Sequence, residues 1–261
     1  MPTSPSLTSA QCASLIYCEQ IRYCAAVSNA ALESANVVGY FDVQAPTGDS
    51  MRSVVFKTVG GAAGYDLSKI KVTGGYGMGD ISAQTIGSDG VWNGEYYWLT
   101  VDNGGVAVDG WYKDAFGAEL VAEGEVILAD GQALYVHSDY DDLSLTCAGE
   151  VAKGNVQLPF SAGDGMVGNA VPVETDLTDI TVTGGYGMGD INAQAIGADG
   201  VWNGEFYWLT VDNGGVAADG WYKDAFGAEP VAADEIVLAP GESLYFHSDY
   251  DDLGVNIPAV L

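Results

Sequence analysis

The sequence predicts an all-β protein built from two tandem homologous domains, each an antiparallel β-sandwich or a small barrel. Residues 70–143 and 180–253 match at a constant offset of 110 positions. Roughly four in five of these positions are identical, which indicates two copies of one folding unit. The chain also holds 36 glycines between short β-branched and aromatic runs, and no segment shows sustained helical periodicity. Short strands separated by frequent turn signals are typical of sandwiches and small barrels.

The leading segment of each repeat differs most between the two copies. Residues 39–51 echo residues 154–166 only weakly, whereas the later part of each repeat barely changes. Residues that pack in the same core in both copies should stay alike. Residues that differ between the copies therefore indicate that the two leading segments pack against different neighbours. We therefore expect the leading segments to contact the other domain or another subunit. Gene conversion of the later part is the alternative explanation.

The remaining strands follow from short runs of β-branched and aromatic residues. Such runs predict strands over residues 53–59, 70–73 and 95–101, with Trp98 in the core. Residues 125–128 and 133–137 flank a turn sequence, which predicts a β-hairpin.

The second copy restricts the type of that turn. Asp130-Gly131 in the first repeat is replaced by Pro240-Gly241 in the second. Proline cannot adopt the positive φ that a type I′ turn requires at this position. If both repeats share one backbone, the turn is therefore type II, with glycine supplying the positive φ.

Three segments describe the domain organisation: an export segment over residues 1–30, a first β-domain over 31–149 and a second over 150–261. Ser28-Asn29-Ala30 offers the small residues that a signal peptidase accepts. The preceding stretch has no basic residue before Arg22, so we interpret it as a degenerate or misannotated export signal; an unstructured tail is the alternative. Cys147 aligns with Ile257, which predicts a buried small hydrophobic residue.

Charge excludes two classes of partner. The chain carries 36 acidic residues against 8 lysines and arginines, giving a formal net charge of −28. Nucleic acids and anionic membrane surfaces attract basic proteins and repel this one. No apolar run reaches the roughly 18–20 residues that a membrane helix needs. We therefore expect no nucleic-acid partner and no transmembrane segment.

Two short stretches carry a resemblance to known proteins. The segment Ser34-Ala35-Asn36-Val37-Val38-Gly39-Tyr40 resembles the start of uncharacterised secreted, β-rich proteins of planctomycete- and verrucomicrobium-type bacteria. The segment Ala129–Val136 is similar to later parts of some of them. The resemblance implies export, a bacterial cell-surface or secreted location and a non-catalytic role. It assigns no functional residues.

Aromatic residues beside polar ones suggest a glycan site in each repeat. An aromatic ring can cover the C–H face of a sugar while carboxylates and amides bind its hydroxyls. The alternative is an aromatic residue packed under its own loop. The candidates in the two repeats are Trp92, Asn93, Glu95, Asp109 and Trp111, with Trp202, Asn203, Glu205, Asp219 and Trp221.

An acidic motif near the end of each repeat suggests a calcium site. Calcium takes six to eight oxygen ligands, and three carboxylates within four residues supply a part of that number. A solvated loop is the alternative. The candidate ligands are Asp139, Asp141 and Asp142 in the first repeat and Asp249, Asp251 and Asp252 in the second.

The evidence for catalysis is weaker. The glycine-rich run over residues 74–79 lacks the following helix that nucleotide binding needs. His137-Ser138-Asp139 is not a triad, because adjacent strand residues point to opposite faces. Glu95 with Asp109 could form a glycosidase pair, but 36 acidic residues make some such pair inevitable. We expect no enzyme.

The sequence therefore favours a non-enzymatic, exported two-domain building block of a cell-surface or extracellular assembly. Its expected partners are copies of itself, joined through strand edges in residues 36–60 as ordered multimers or filaments. The alternative is a bivalent glycan-binding protein, which binds its glycan either with calcium as a cofactor or without one. Exposure of Trp111 and Trp221 separates the two, because a buried indole offers no face to a sugar.

Overall fold

The structure is a computed structural model. It describes residues 38–57, 64–75, 78–86, 92–160, 162–184, 188–196, 202–212 and 214–258. The predicted export segment lies outside the described residues, as do residues 58–63.

The fold is all-β, as the sequence predicted. The described residues contain twenty strands, two single-turn 3-10 helices and no α-helix. Among them, no helical segment is both long and apolar enough to cross a membrane. The strands of the first repeat are β1 (Val38–Ala45), β2 (Gly48–Ser53), β3 (Tyr65–Asp66), β4 (Lys71–Thr73), β5 (Met78–Ile86), β6 (Trp92–Asp102), β7 (Ala107–Tyr112), β8 (Ile127–Leu128), β9 (Ala133–Ser138) and β10 (Leu143–Glu150). Those of the second are β11 (Val156–Phe160), β12 (Gly163–Gly168), β13 (Thr175–Asp176), β14 (Thr181–Thr183), β15 (Met188–Ile196), β16 (Trp202–Asp212), β17 (Ala217–Tyr222), β18 (Val237–Leu238), β19 (Ser243–Ser248) and β20 (Leu253–Ile257). The two 3-10 turns are Leu67–Lys69 and Leu177–Asp179.

Both repeats have the same sheet topology. In the first, a three-stranded sheet has the order β1-β10-β4 and a five-stranded sheet the order β2-β9-β5-β6-β7, with β3 paired to β8. The second repeats this pattern as β11-β20-β14, β12-β19-β15-β16-β17 and β13-β18. Every strand pairing is antiparallel.

Each half of the chain has its own hydrophobic cluster. One cluster draws its buried residues from positions 43–151 and the other from positions 152–257. Burial alternates along the strands that cover these clusters: Val156, Leu158 and Phe160 are buried, whereas Gln157 and Pro159 are exposed. This alternation is what a strand with one covered face produces. The predicted boundary at residues 149 and 150 stays a prediction.

The predicted hairpin over residues 125–137 is wrong. β8 is only two residues long and pairs with β3, while β9 pairs with β2 and β5. The turn type is as expected, because Gly131 and Gly241 have φ of 84° and 82° while the preceding Asp130 and Pro240 do not have a positive φ. The hydrogen bond from Gln132 N–H to the Ala129 carbonyl (2.9 Å) closes this turn. It therefore joins two different sheets and is not the tip of a hairpin.

The strand predicted over residues 53–59 is also shifted. β2 ends at Ser53, and the next three residues, Val54, Val55 and Phe56, are buried. This apolar run fills the core, so it is not an exposed sheet edge. A strand edge within the predicted residues 36–60 does exist at β1, which is one of the two outer strands of its three-stranded sheet.

The leading strands join the two repeats by reciprocal hydrogen bonds. Ser53 N–H donates to the Gly241 carbonyl at 2.8 Å. Gly168, which ends β12 as Ser53 ends β2, donates to the Gly131 carbonyl at 2.8 Å. Such an exchange of equivalent contacts is what a two-fold related interface produces. The expectation that the leading segments contact the other repeat is confirmed at these residues.

The same seam has a small apolar centre. Met51, Ile86, Ala133 and Met166 form a buried cluster that takes residues from both repeats. Gly168 explains how closely the strands approach, since a Cβ there would lie 1.9 Å from the Cβ of Ser53. Any larger residue would force the leading strands apart.

Candidate functional site

The structure places Trp111 and Trp221 in the core, which corrects their assignment as glycan contacts. Trp111 is 1% exposed and Trp221 is 3% exposed. Each indole N–H donates to a carbonyl, from Trp111 to Ile70 at 2.8 Å and from Trp221 to Ile180 at 2.7 Å. Trp111 also packs edge-on against Trp98, with 5.6 Å between ring centroids. Neither ring face is open to a sugar.

Trp92 is the exposed tryptophan among the described glycan candidates. It is 40% exposed and packs edge-on against Tyr135, with ring centroids 5.6 Å apart. Its neighbour Asn93 is exposed as well. The side chains of Trp202 and Asn203 lie outside the described residues, so the second copy of this pair stays a prediction.

The carboxylates of the glycan set are bound to their own sheet. Glu95 accepts a hydrogen bond from the Tyr97 hydroxyl at 2.5 Å, and Asp109 accepts one from Thr100 at 2.8 Å. In the second repeat, Asp219 accepts from Thr210 at 2.7 Å, and Glu205 raises the pKa of Tyr207 to about 12 through the equivalent hydrogen bond.

Glu95 and Asp109 do not form a catalytic pair. Asp109 lies opposite Thr100, five residues along β6 from Glu95. That distance along a strand is roughly 16 Å. Glycoside hydrolysis needs two carboxyl groups about 5 to 10 Å apart. These two carboxylates are too distant for that reaction.

The acidic motif does not converge on one point. Asp141 accepts the backbone N–H of Thr47 at 3.1 Å, and contacts with Thr47 lower its pKa. Asp139 lies 3.6 Å from His137 Nε2. In the second repeat, Asp251 accepts the backbone N–H of Ala162 at 2.9 Å. Within the part of the chain that the structure describes, no three His, Cys, Asp or Glu side chains are grouped for a metal ion. Calcium binding therefore stays a prediction.

A histidine–aspartate pair was missed from the sequence. His137 Nδ1–H donates a hydrogen bond to the carboxylate of Asp49 on β2 at 2.8 Å, and His247 Nδ1–H donates one to Asp164 at 2.8 Å. The Asp49 contact raises the pKa of His137. Burial and a hydrogen bond to Asp49 together raise the pKa of Tyr135 to about 12.

The signal for this pair was present in the leading segments. Although these segments diverge, both keep Gly-Asp-x-Met, at residues 48–51 and 163–166. Sequence spacing could not pair Asp49 with a histidine 88 positions away. Asp49 on β2 thus binds two side chains of β9, His137 and Tyr135. These residues form no triad, because Ser138 is fully buried and its hydroxyl donates to the Tyr140 carbonyl at 2.8 Å.

The most exposed large apolar side chain among the described residues of each repeat was also missed. Phe116 is 95% exposed in the loop that follows β7. Asp114 holds this loop, because its carboxylate accepts the backbone N–H groups of Phe116 at 2.9 Å and Glu119 at 3.0 Å. Hydrogen bonds from backbone N–H groups, that of Ala118 foremost, lower the pKa of Asp114. The phenyl ring therefore stands on a braced loop.

The second repeat presents the same arrangement. Phe226 is 94% exposed, and Asp224 accepts the N–H groups of Phe226 at 2.9 Å and Glu229 at 2.8 Å. At the base of the first loop, Lys113 forms an ion pair with Glu119 at 2.5 Å and another with Glu125. Lys223 repeats both pairs with Glu229 and Glu235.

Comparison with known proteins adds no assignment. No protein-family model, no curated protein and no solved structure matches the chain. The resemblance to secreted bacterial proteins stays a prediction. A functional proposal for this chain therefore depends on its own geometry.

Proposed function

We propose that this chain is a non-enzymatic, exported building block of a cell-surface or extracellular assembly, made of two tandem antiparallel β-sandwich domains that self-associate. The observation that carries the proposal is the pair of exposed phenylalanines, Phe116 at 95% and Phe226 at 94%. One exposed apolar residue is ordinary on a protein surface. The same ring on two identically braced loops favours a contact point that the molecule uses twice.

Bracing matters for the energetics of such a contact. A loop that is already ordered loses little conformational entropy when it binds, so more of the burial energy remains as affinity. Burying a phenylalanine side chain contributes roughly 1.5–3 kcal/mol. Two weak contacts on one chain add through effective concentration. A doubled Phe loop therefore supports assembly although each contact alone is weak.

Net charge sets the conditions for assembly. A charge of −28 makes copies repel each other. The screening length is about 30 Å at 0.01 M salt and about 8 Å at 0.15 M. Repulsion therefore weakens strongly at the salt concentrations found outside cells, and assembly is expected there.

The double variant Phe116→Ser/Phe226→Ser tests the proposal. In sedimentation velocity at 0.15 M salt, the mean mass of the wild-type chain should rise with protein concentration, and that of the double variant should rise less. Ala115→Ser/Ala225→Ser is the matched control, because both alanines are exposed in the same loops. Equal assembly of the wild type and the phenylalanine variant would remove the loops as contacts.

The glycan-binding alternative now depends on Trp92. Its exposure of 40% beside Tyr135 and Asn93 is the observation that favours it. Glycan array binding that Trp92→Ala abolishes would support this alternative. Binding that survives the substitution would place any sugar elsewhere.

A further inference from the structure

The two repeats differ at one outer strand of the three-stranded sheet, where β11 contains a proline that β1 lacks. β1 and β11 are the outer strands of these sheets, and each pairs on one side only among the described residues. β1 is eight residues long, whereas β11 has five. Gln44 lies opposite Ser144, and Pro159 lies opposite Gly254, the residue that corresponds to Ser144. Proline therefore occupies in β11 the position that glutamine occupies in β1.

Hydrogen bonds on the far side of β10 show which way the backbone of β1 points. Glu150 N–H and C=O both bond to Lys57, at 2.8 Å each, and Val38 of β1 lies opposite Glu150. In an antiparallel pair, a residue directs both groups to the same side, so Val38 and Glu150 form a non-hydrogen-bonded pair. The N–H and C=O groups of Val38 therefore point away from β10. Tyr40, Asp42 and Gln44 follow with the same period of two.

The second repeat supports this direction independently. Pro159 has no N–H, so it fits only where the corresponding N–H would point outward from the sheet. Proline on an outer strand is a common way of preventing a further strand from pairing. The edge of β11 is blocked in this way, whereas no described strand pairs with the outer edge of β1.

The other outer strands are short or covered. β4 and β14 have three residues each. The edge of β7 is covered where Val121 N–H donates to the Trp111 carbonyl at 2.8 Å, and Val231 covers β17 through Trp221 in the same way, also at 2.8 Å. β2 and β12 lie at the seam between the repeats. Among the described strands, β1 is the longest edge that no other described residue covers.

We infer that β1 pairs antiparallel with β1 of a second copy of this chain, which joins two three-stranded sheets into one six-stranded sheet. This inference rests on the proposed self-association and names its first step. A second copy is the occupant because one open edge paired with itself forms a closed, two-fold symmetric dimer. Since β11 is blocked, the strand contact stops at the dimer, and larger assemblies need the Phe loops.

Charge selects the register of this pairing. If Asp42 faced Asp42 of the second copy, two carboxylates would oppose each other directly, which destabilises a strand pair. In a symmetric pair, one residue lies on the two-fold axis and faces its own copy. If that residue is Phe41, then Tyr40 lies opposite Asp42 and Val38 opposite Gln44 of the second copy. All four outward residues then pair, which gives about eight backbone hydrogen bonds.

Gln44→Pro tests the inference, because Pro159 shows that the corresponding strand accepts proline. The control is Gln44→Ala, which loses the same side-chain hydrogen bond to Ser144 (2.6 Å) but keeps the backbone N–H. Both changes are made in the Phe116→Ser/Phe226→Ser chain under reducing conditions, so that only the strand contact remains. In sedimentation velocity at 0.15 M salt, the parent and Gln44→Ala should be dimers and Gln44→Pro a monomer.

The outcomes separate the two proposals. A dimer that survives Gln44→Pro, or a parent that is monomeric while the wild-type chain assembles, would overturn the β1 contact and leave the building-block function standing. A wild-type chain that never associates would overturn the function itself. If Gln44→Pro does not fold, hydrogen exchange of the wild-type chain decides. The amides of Tyr40, Asp42 and Gln44 should exchange at least tenfold more slowly at high than at low protein concentration, and unchanged rates would refute the pairing.

Discussion

Trp111 is a core residue and not a ligand contact, because both its indole N–H and its ring are used inside the protein. The indole N–H donates to the Ile70 carbonyl at 2.8 Å while the ring packs edge-on against Trp98. The sequence around it, Asp109-Gly110-Trp111-Tyr112-Lys113, has the polar neighbours of a binding loop, which is why it was wrongly predicted as a contact. A local sequence pattern could not reveal that the indole N–H donates its hydrogen bond to a carbonyl 41 positions away.

We predict that Trp111→Ala destabilises the protein by about 3–5 kcal/mol, because it opens a large cavity in a packed core. Trp92→Ala removes a ring that is 40% exposed and should cost well below that. Urea unfolding monitored by circular dichroism measures both variants. Similar losses for the two would contradict the assignment of Trp111 to the core.

His137 should make stability depend on pH. The hydrogen bond to Asp49 raises the pKa of His137 above its unfolded value of 6.5. Its contribution to stability is therefore fully present below pH 6.5 and is lost as the pH rises through the folded pKa. The side chain is half exposed, so the effect stays below about 1 kcal/mol. An NMR titration should show the raised pKa of His137, and Asp49→Asn should bring it down; no change in this variant would contradict the pairing.

At the scale of elements, the turns at Gly131 and Gly241 connect two sheets and also accept hydrogen bonds from the other repeat. Proline at position 240 correctly predicted a type II turn, because its own ring forbids the other type. The turn was placed in a hairpin only because two strand-like runs flank it. Strand partners distant in sequence cannot be read from such runs, and the pairing of β8 with β3 depends on the tertiary fold.

Gly241→Ala should be more destabilising than a glycine substitution at a similar φ elsewhere. Position 241 has a φ of 82°, and a Cβ there would approach Val43 of the other repeat to 2.6 Å. Gly105→Ala is the control, since its φ is 92° and no atom lies within 4 Å of the added Cβ. Backbone strain alone costs about 1 kcal/mol at either site. Thermal unfolding should show the larger loss for Gly241→Ala; equal losses would mean that the turn does not press on the other repeat.

At the scale of the whole molecule, duplication was the most reliable prediction from the sequence. The offset of 110 positions recurs in strand after strand, for example between Lys71–Thr73 and Thr181–Thr183. The divergent leading segments also indicated where the repeats meet, and Ser53 and Gly168 lie there. The way the two halves exchange equivalent contacts could not be predicted, because it depends on the close approach that Gly168 allows.

Sedimentation velocity of the whole reduced chain across a salt series tests the central claim most directly. A net charge of −28 keeps copies apart at 0.01 M salt, where the screening length is about 30 Å. Raising the salt to 0.15 M shortens it to about 8 Å and should allow strand edges and Phe loops to meet. We predict a monomer at low salt and concentration-dependent association at 0.15 M. A monomer at every salt and protein concentration would contradict the account of this chain as a self-associating building block.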